Sequence, residues 1–122
     1  MTKYGPGSDI LSADALIGDK VFDNTGEILG TLENIMLDVD TGQMAYAVIA
    51  FAVWPEASDQ YFAIPWHLLK LEPVRKQLIL DVDLAVLQTA PRFARDTWPS
   101  MDDIDWSNAV HRHFGIRPYW EQ

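Results

Sequence analysis

The apolar positions of this chain change period several times from one end to the other, and those changes divide it into elements. Residues 1 to 9, with two glycines and a proline, carry no pattern and predict a flexible lead-in, so the fold is expected to begin at Ile10. Ser12 can cap a short turn over Ala13 to Leu16 that Gly18 ends, and Lys20 to Asp23 predicts a short strand. Asp23-Asn24-Thr25-Gly26 then supplies turn chemistry, because Asn and Gly accept the positive φ of tight hairpin turns. Beyond it Ile28, Gly30 and Leu32 share one face, but Ile35, Leu37 and Val39 put the apolar set on odd positions. A period of two changes phase only through an extra residue, so a β-bulge is expected near Glu33 or Asn34.

Asp40-Thr41-Gly42 forms the next predicted turn. The run after it, QMAYAVIAFAV from Gln43 to Val53, is apolar on both faces, unlike an antiparallel strand with one wet side, so something must cover its second face. Trp54 to Gln60 is expected to loop, Tyr61 to Pro65 to form a strand, and Trp66 to Leu69 to make one helical turn. Leu71 to Val74 and Gln77 to Asp83 predict a last hairpin across Arg75-Lys76, with Leu78, Leu80 and Val82 inward. These five or six short strands argue for a mainly β domain over residues 10 to 83, a small antiparallel barrel or sandwich.

Residues 84 to 122 have helical character instead. A short helix over Leu84 to Thr89 stops at Pro91, and a second is expected to start at a Ser100 cap, with Asp103 three residues later and Gly115 at its end. Its Trp106, Val110 and Phe114 fall at i, i+4 and i+8, one apolar stripe. Packing of Trp106, Val110, Phe114, Tyr119 and Trp120 onto the open face of the β domain is the expected arrangement.

Composition narrows the role. Apolar residues make up 48% of the 122, enough for a single core. Without cysteine there is neither a disulfide framework nor a thiolate site. The net charge of -9 disfavours nucleic acid and anionic lipid. It is concentrated before residue 92, where thirteen acids face five bases, so a basic partner is preferred there. No signal-like run opens the chain and no stretch reaches the ~18 apolar residues of a bilayer span. A cytoplasmic location without membrane insertion is the expectation.

Candidate chemistry is sparse. Asp38, Asp40 and Thr41 contain fragments of an aspartic protease loop, an aspartyl phosphotransfer site and a calcium loop. The protease needs two facing loops, the phosphotransferase a parallel sheet, and calcium further oxygen ligands ending in a bidentate Glu, whereas the next acid is Glu56. Asp23, Gly26, Asp40 and Gly42 are therefore assigned to structural turns. His111 and His113 would point ~200° apart on a helix, so no metal is assigned to them. His67, with no nucleophile elbow elsewhere, suggests no triad. Arg117 before Pro118 can pair with a carboxylate or hold an anion, and both readings stand. The aromatics including Trp98 fit packing better than a ligand pocket or base stacking.

Leu16-Ile17-Gly18, Val21, Gly26, Ile28-Leu29-Gly30, Asp38, Gly42, Ala45-Tyr46-Ala47-Val48 and Ile64-Pro65-Trp66 with Leu68 resemble, in order and spacing, the PRC-barrel family. The final FGIRPYW, Phe114 to Trp120, resembles the extension of its stand-alone bacterial members. The family includes the cytoplasmic domain of the photosynthetic reaction centre H subunit and a ribosome maturation factor domain that binds a ribosomal protein. The resemblance implies a six-stranded barrel acting as an interaction or adaptor module, with no catalytic residue and no cofactor. The expected role is thus non-enzymatic protein binding to an unidentified partner, with a homodimer motivated by the doubly apolar strand 44 to 53. The competing expectations are a small-ligand binder or enzyme using the tail aromatics and histidines, and, by family analogy, an accessory protein of photosynthetic electron-transfer complexes.

Overall fold

The computed structural model describes residues 12–72, 75 and 77–121. The expected lead-in, the start at Ile10, the Val74 end of the expected strand and Lys76 of the expected last turn lie outside the described residues. Among the described residues seven strands form one sheet: β1 Lys20–Phe22, β2 Ile28–Asp38, β3 Gln43–Phe51, β4 Gln60–Pro65, β5 Leu69–Glu72, β6 Gln77–Leu80 and β7 Arg92–Ala94. The helices are α1 Ala13–Leu16, α2 Leu84–Gln88 and α3 Ile104–His113.

The hydrogen-bonded order is β5-β6-β1-β2-β3-β4-β7, and among the described residues no pairing joins β5 to β7. Two expectations are corrected. The sheet is mixed rather than antiparallel, because β6 lies parallel to β1 with Val21 opposite Leu78. That pairing brings Leu78 and Leu80 beside Val21 in the core, and neither strand's own turn chemistry announces it. The strands number seven rather than about six, because Arg92–Ala94, expected to be connecting chain, pairs with β4 as an edge strand. Tyr61 and Phe93 sit opposite each other there, rings edge to face at 6.2 Å, so a cross-strand aromatic pair holds three residues of weak strand character.

Bulges steer β2 and β3. Leu32 pairs with Ile49 and Asn34 with Val48, which makes Glu33 the extra residue. Two further irregularities were not foreseen, at Leu29 against β1 and at Ala45 against β2. The Leu29 bulge turns Leu29 inward and leaves Ile28 exposed, reversing the expected face. Ile35 packs on the core, whereas Leu37 and Val39, which alternate in step with it, are 56% and 85% exposed. The hairpin tip runs on past the elements that could cover it.

Both predicted turns use an aspartate as a local acceptor. Asp23 Oδ1 accepts from the Thr25 N–H, the Thr25 hydroxyl and the Glu27 N–H at 2.8, 2.7 and 3.0 Å, and Gly26 takes φ 93°. In the second turn the acceptor is Asp38 rather than Asp40: its Oδ1 takes the Asp40 and Thr41 N–H groups at 2.9 and 3.3 Å, with Gly42 at φ 76°.

Side chains alternate between two cores. Ala47, Ile49 and Phe51 of β3 join Phe62 and Ile64 of β4, Val21, Leu29 and Leu32 inside the sheet. Tyr46 and Ala63 face the other way and meet Val110 and Tyr119 of the tail. The second face of β3 is thus covered by the chain itself.

Gly30 lies directly against the backbone of β3: a Cβ there would stand 2.1 Å from the Ala50 carbonyl oxygen, a backbone atom with no room to swing aside. Gly30→Ala is expected to destabilise the fold by about 1–3 kcal/mol, as overpacked core sites do, measured by urea unfolding. An unchanged midpoint would show that the two strands separate more easily than this packing implies.

Candidate functional site

The tail is built to return to the β2–β3 hairpin. Helix α3 is capped by Asp103, whose carboxylate accepts the Asp105 and Trp106 N–H groups at 2.8 and 3.5 Å. Ser100, the expected cap, instead takes the Asp103 N–H on its carbonyl at 3.1 Å, one turn before the helix begins. Asp103 wins because its side chain alone reaches the first free N–H groups. At the other end Gly115 N–H donates to Arg112 and Ile116 N–H to His111, both to carbonyls, with Gly115 at φ 66°. That left-handed reversal is the usual way a helix stops and turns its chain back.

The reversal brings Tyr119 under His111. His111, 1% exposed, has its Nδ1 2.7 Å from the Ser107 carbonyl and must donate there; its Nε2 accepts the Tyr119 N–H at 3.3 Å. Those partners fix the neutral ring with its proton on Nδ1. Burial holds the His111 pKa below the usual histidine range; the Ser107 carbonyl opposes that shift and the charge of His67 adds to it. The Tyr119 hydroxyl donates to Asp38 Oδ2 at 2.5 Å. Asp38 therefore serves two structures at once, its own turn and the tail. The Tyr119 hydroxyl is the main cause that holds its carboxyl below the ordinary aspartate range; desolvation opposes it, and the two turn N–H groups each add a lesser lowering.

Aromatic rings fill the junction. Tyr46 meets Trp106 edge to face at 5.3 Å and Tyr119 at 6.1 Å, and Trp120 meets His111 at 5.5 Å. Of the five tail residues predicted to pack, Val110 and Tyr119 are buried, Trp106 and Phe114 half-buried, and Trp120 is 36% exposed. His113 does not join His111: its Nε2 donates to the Val86 carbonyl at 2.8 Å and ties α3 to α2. His67 is exposed on the turn after β4, as is Arg117 beyond α3. Trp98 packs elsewhere, on Phe93 and Tyr61. Among the described residues no three histidine or carboxylate side chains gather as a metal site requires.

A cleft of ≈ 490 Å³ lies between the hairpin tip, the start of α3 and the C-terminal turn. Met36 to Asp40, Tyr46, Ile104, Ser107 and Trp120 are among its walls. Reasoning from the sequence missed Tyr46, Leu37 and Val39 as parts of this site. The one signal available was that Tyr46 carries a hydroxyl in an otherwise apolar strand.

These features define a small, bulged β domain whose helical tail is folded back on it. The PRC-barrel domain model matches residues 8–87, more than half of the chain, and the chain belongs to that family. Comparison with curated proteins finds no match. Among the described residues no helix is long and apolar enough to cross a membrane.

Two outcomes test the junction. Tyr119→Phe keeps the ring but removes the bond to Asp38, so it should lower the unfolding midpoint at pH 7, and the difference should shrink as pH falls below 3.8 and Asp38 protonates. For His111 the folded pKa is depressed. Its contribution is complete above the unfolded value of 6.5 and is lost as pH falls from there through the folded pKa. Urea midpoints of wild type should drop across that window, and those of His111→Gln should drop less.

Proposed function

We propose that this chain is a non-enzymatic protein-binding module, and that its docking surface is the cleft at the hairpin tip. The observation that carries this reading is the gathering of exposed apolar side chains there: Leu37, Val39 and Ile104 are each more than half exposed, and Trp120 and Met44 stand partly out beside them. Scattered surface hydrophobes need no explanation, but a contiguous group around a concavity is the usual mark of an interaction site.

The state of the candidate catalytic groups supports the same reading. Both ring nitrogens of His111 are engaged inside the core, His113 is spent on the Val86 carbonyl, and Asp38 is held by three donors. A general base needs a free lone pair within reach of a substrate proton. The cysteine-free sequence fits a cytoplasmic setting within this proposal.

A homodimer belongs to the proposal as the competing use of the same surface. Its original motive, the doubly apolar β3, weakens because the tail covers the outer face of that strand.

Replacing Leu37 and Val39 together by Ser should leave secondary structure and the thermal midpoint within a degree or two of wild type, since both side chains are already in water. Used as baits in native lysate, wild type should retain partner proteins that the double variant releases. Equal retention by both would move the docking surface elsewhere, and retention of nothing by wild type would refute the protein-binding reading.

A further inference from the structure

The cleft has a chemistry as well as a shape. Three carboxylates line it, Asp38, Asp40 and Asp102, and no lysine, arginine or histidine does. Asp38 is taken up by the turn and by Tyr119. The carboxylates of Asp40 and Asp102 have no hydrogen-bond or ion-pair partner among the described residues. Both line a concavity that Leu37, Val39 and Ile104, each more than half exposed, also line. The start of α3 offers no anion site to compensate, because Asp103 already occupies its free N–H groups.

A second observation is independent of the acids. Tyr46 is 1% exposed, and its hydroxyl is buried without a hydrogen-bond partner. The Ser107 hydroxyl beside it donates to the Met101 carbonyl at 3.0 Å. Burial raises the Tyr46 pKa; the Ser107 hydroxyl stands close enough to oppose that shift without reaching hydrogen-bond geometry, and the charge of Asp38 adds to the rise. Tyr46, Asp38 and Ser107 all line the cleft. Leaving a buried polar group unsatisfied is costly and uncommon in native proteins. A donor entering along the cleft would satisfy it.

We propose that the cleft receives a basic amphipathic segment of a partner protein. Its lysine or arginine lies between Asp40 and Asp102 and reaches toward the Tyr46 hydroxyl, and its apolar side chains rest on Leu37, Val39 and Ile104. The proposal rests on the protein-binding reading above and gives that reading a partner chemistry. Charge complementarity selects the occupant: a second copy of this chain, also at -9 and acidic at this site, would bring like charges together.

The probe is a synthetic amphipathic peptide of lysine and leucine, with its glutamate-for-lysine counterpart as control, titrated against the full chain while tryptophan fluorescence is followed. Trp120 lines the cleft and supplies the signal. The basic peptide should bind and the acidic one should not. Asp40→Asn with Asp102→Asn should weaken binding about fivefold to tenfold, as loss of two exposed charge pairs implies. Asp59→Asn with Asp81→Asn makes the same change of net charge away from the cleft and should leave affinity unaltered. Equal weakening by both pairs means non-specific attraction to an acidic protein and overturns the proposal. Tyr46→Phe should unfold no earlier than wild type, since it deletes an unsatisfied group, and yet bind several-fold more weakly. Equal binding by that variant also overturns the proposal.

Two further arms separate this inference from the reading beneath it. If wild type and the Asp40/Asp102 variant retain the same proteins from lysate, the chain binds protein through another surface and only the cleft is refuted. If wild type binds the basic peptide but retains no protein, the cleft chemistry stands and the protein-binding reading falls. A dimer in sedimentation equilibrium that the peptide cannot enter would identify the occupant as a second copy and overturn the partner proposed.

Discussion

Strand β3 has two faces that must both be kept from water, and much of the fold follows from that constraint. Its inward residues Ala47, Ile49 and Phe51 close the sheet's interior with β2 and β4. Its outward Tyr46 cannot be left bare, since burying an aromatic of this size supplies a large share of a small domain's driving force. The tail answers that demand. Val110, Trp106 and Tyr119 reach Tyr46 because Asp103 starts α3 and Gly115 reverses the chain at its end. The caps matter less for the helix itself than for where they aim its apolar side.

Asp38 ties this second core to the first. One carboxylate oxygen shapes the turn between β2 and β3, and the other holds the Tyr119 hydroxyl, so hairpin and tail are set in register by a single side chain. The consequence appears at the hairpin tip. The tail reaches as far as Asp38 and no further, so Leu37 and Val39 project beyond the covered region and border a cleft. An exposed apolar rim therefore arises from the same bond that fastens the tail.

Membership of the PRC-barrel family accounts for the sheet, but a fold alone assigns no partner. The tail adds an edge to that sheet. Strand β7 extends the sheet past β4, α3 covers its outer face, and the helix start brings Ile104 and Asp102 to the cleft. The proposed docking cleft lies where two parts of the chain meet, as is common for binding sites.

The sequence by itself determined what local physics controls. Positive-φ glycines at 26 and 42, the Ser12 cap of α1, and the phase change that requires a bulge near Glu33 were all legible, because each depends on residues a few positions apart. The need for a cover over β3 was legible too, since two-sided hydrophobicity states it outright. Tertiary structure alone decided the rest. The parallel pairing of β1 with β6 and the capture of β7 by β4 depend on partners distant in sequence, which no period encodes. The exposure of Leu37 and Val39 was not legible for a related reason: alternation shows which side chains share a face with Ile35, and only the reach of neighbouring elements decides whether that face is covered. His111 is the clearest case. In the sequence it is half of a His-x-His pair, and only the return of Tyr119 beneath the helix gives its two ring nitrogens their opposite roles.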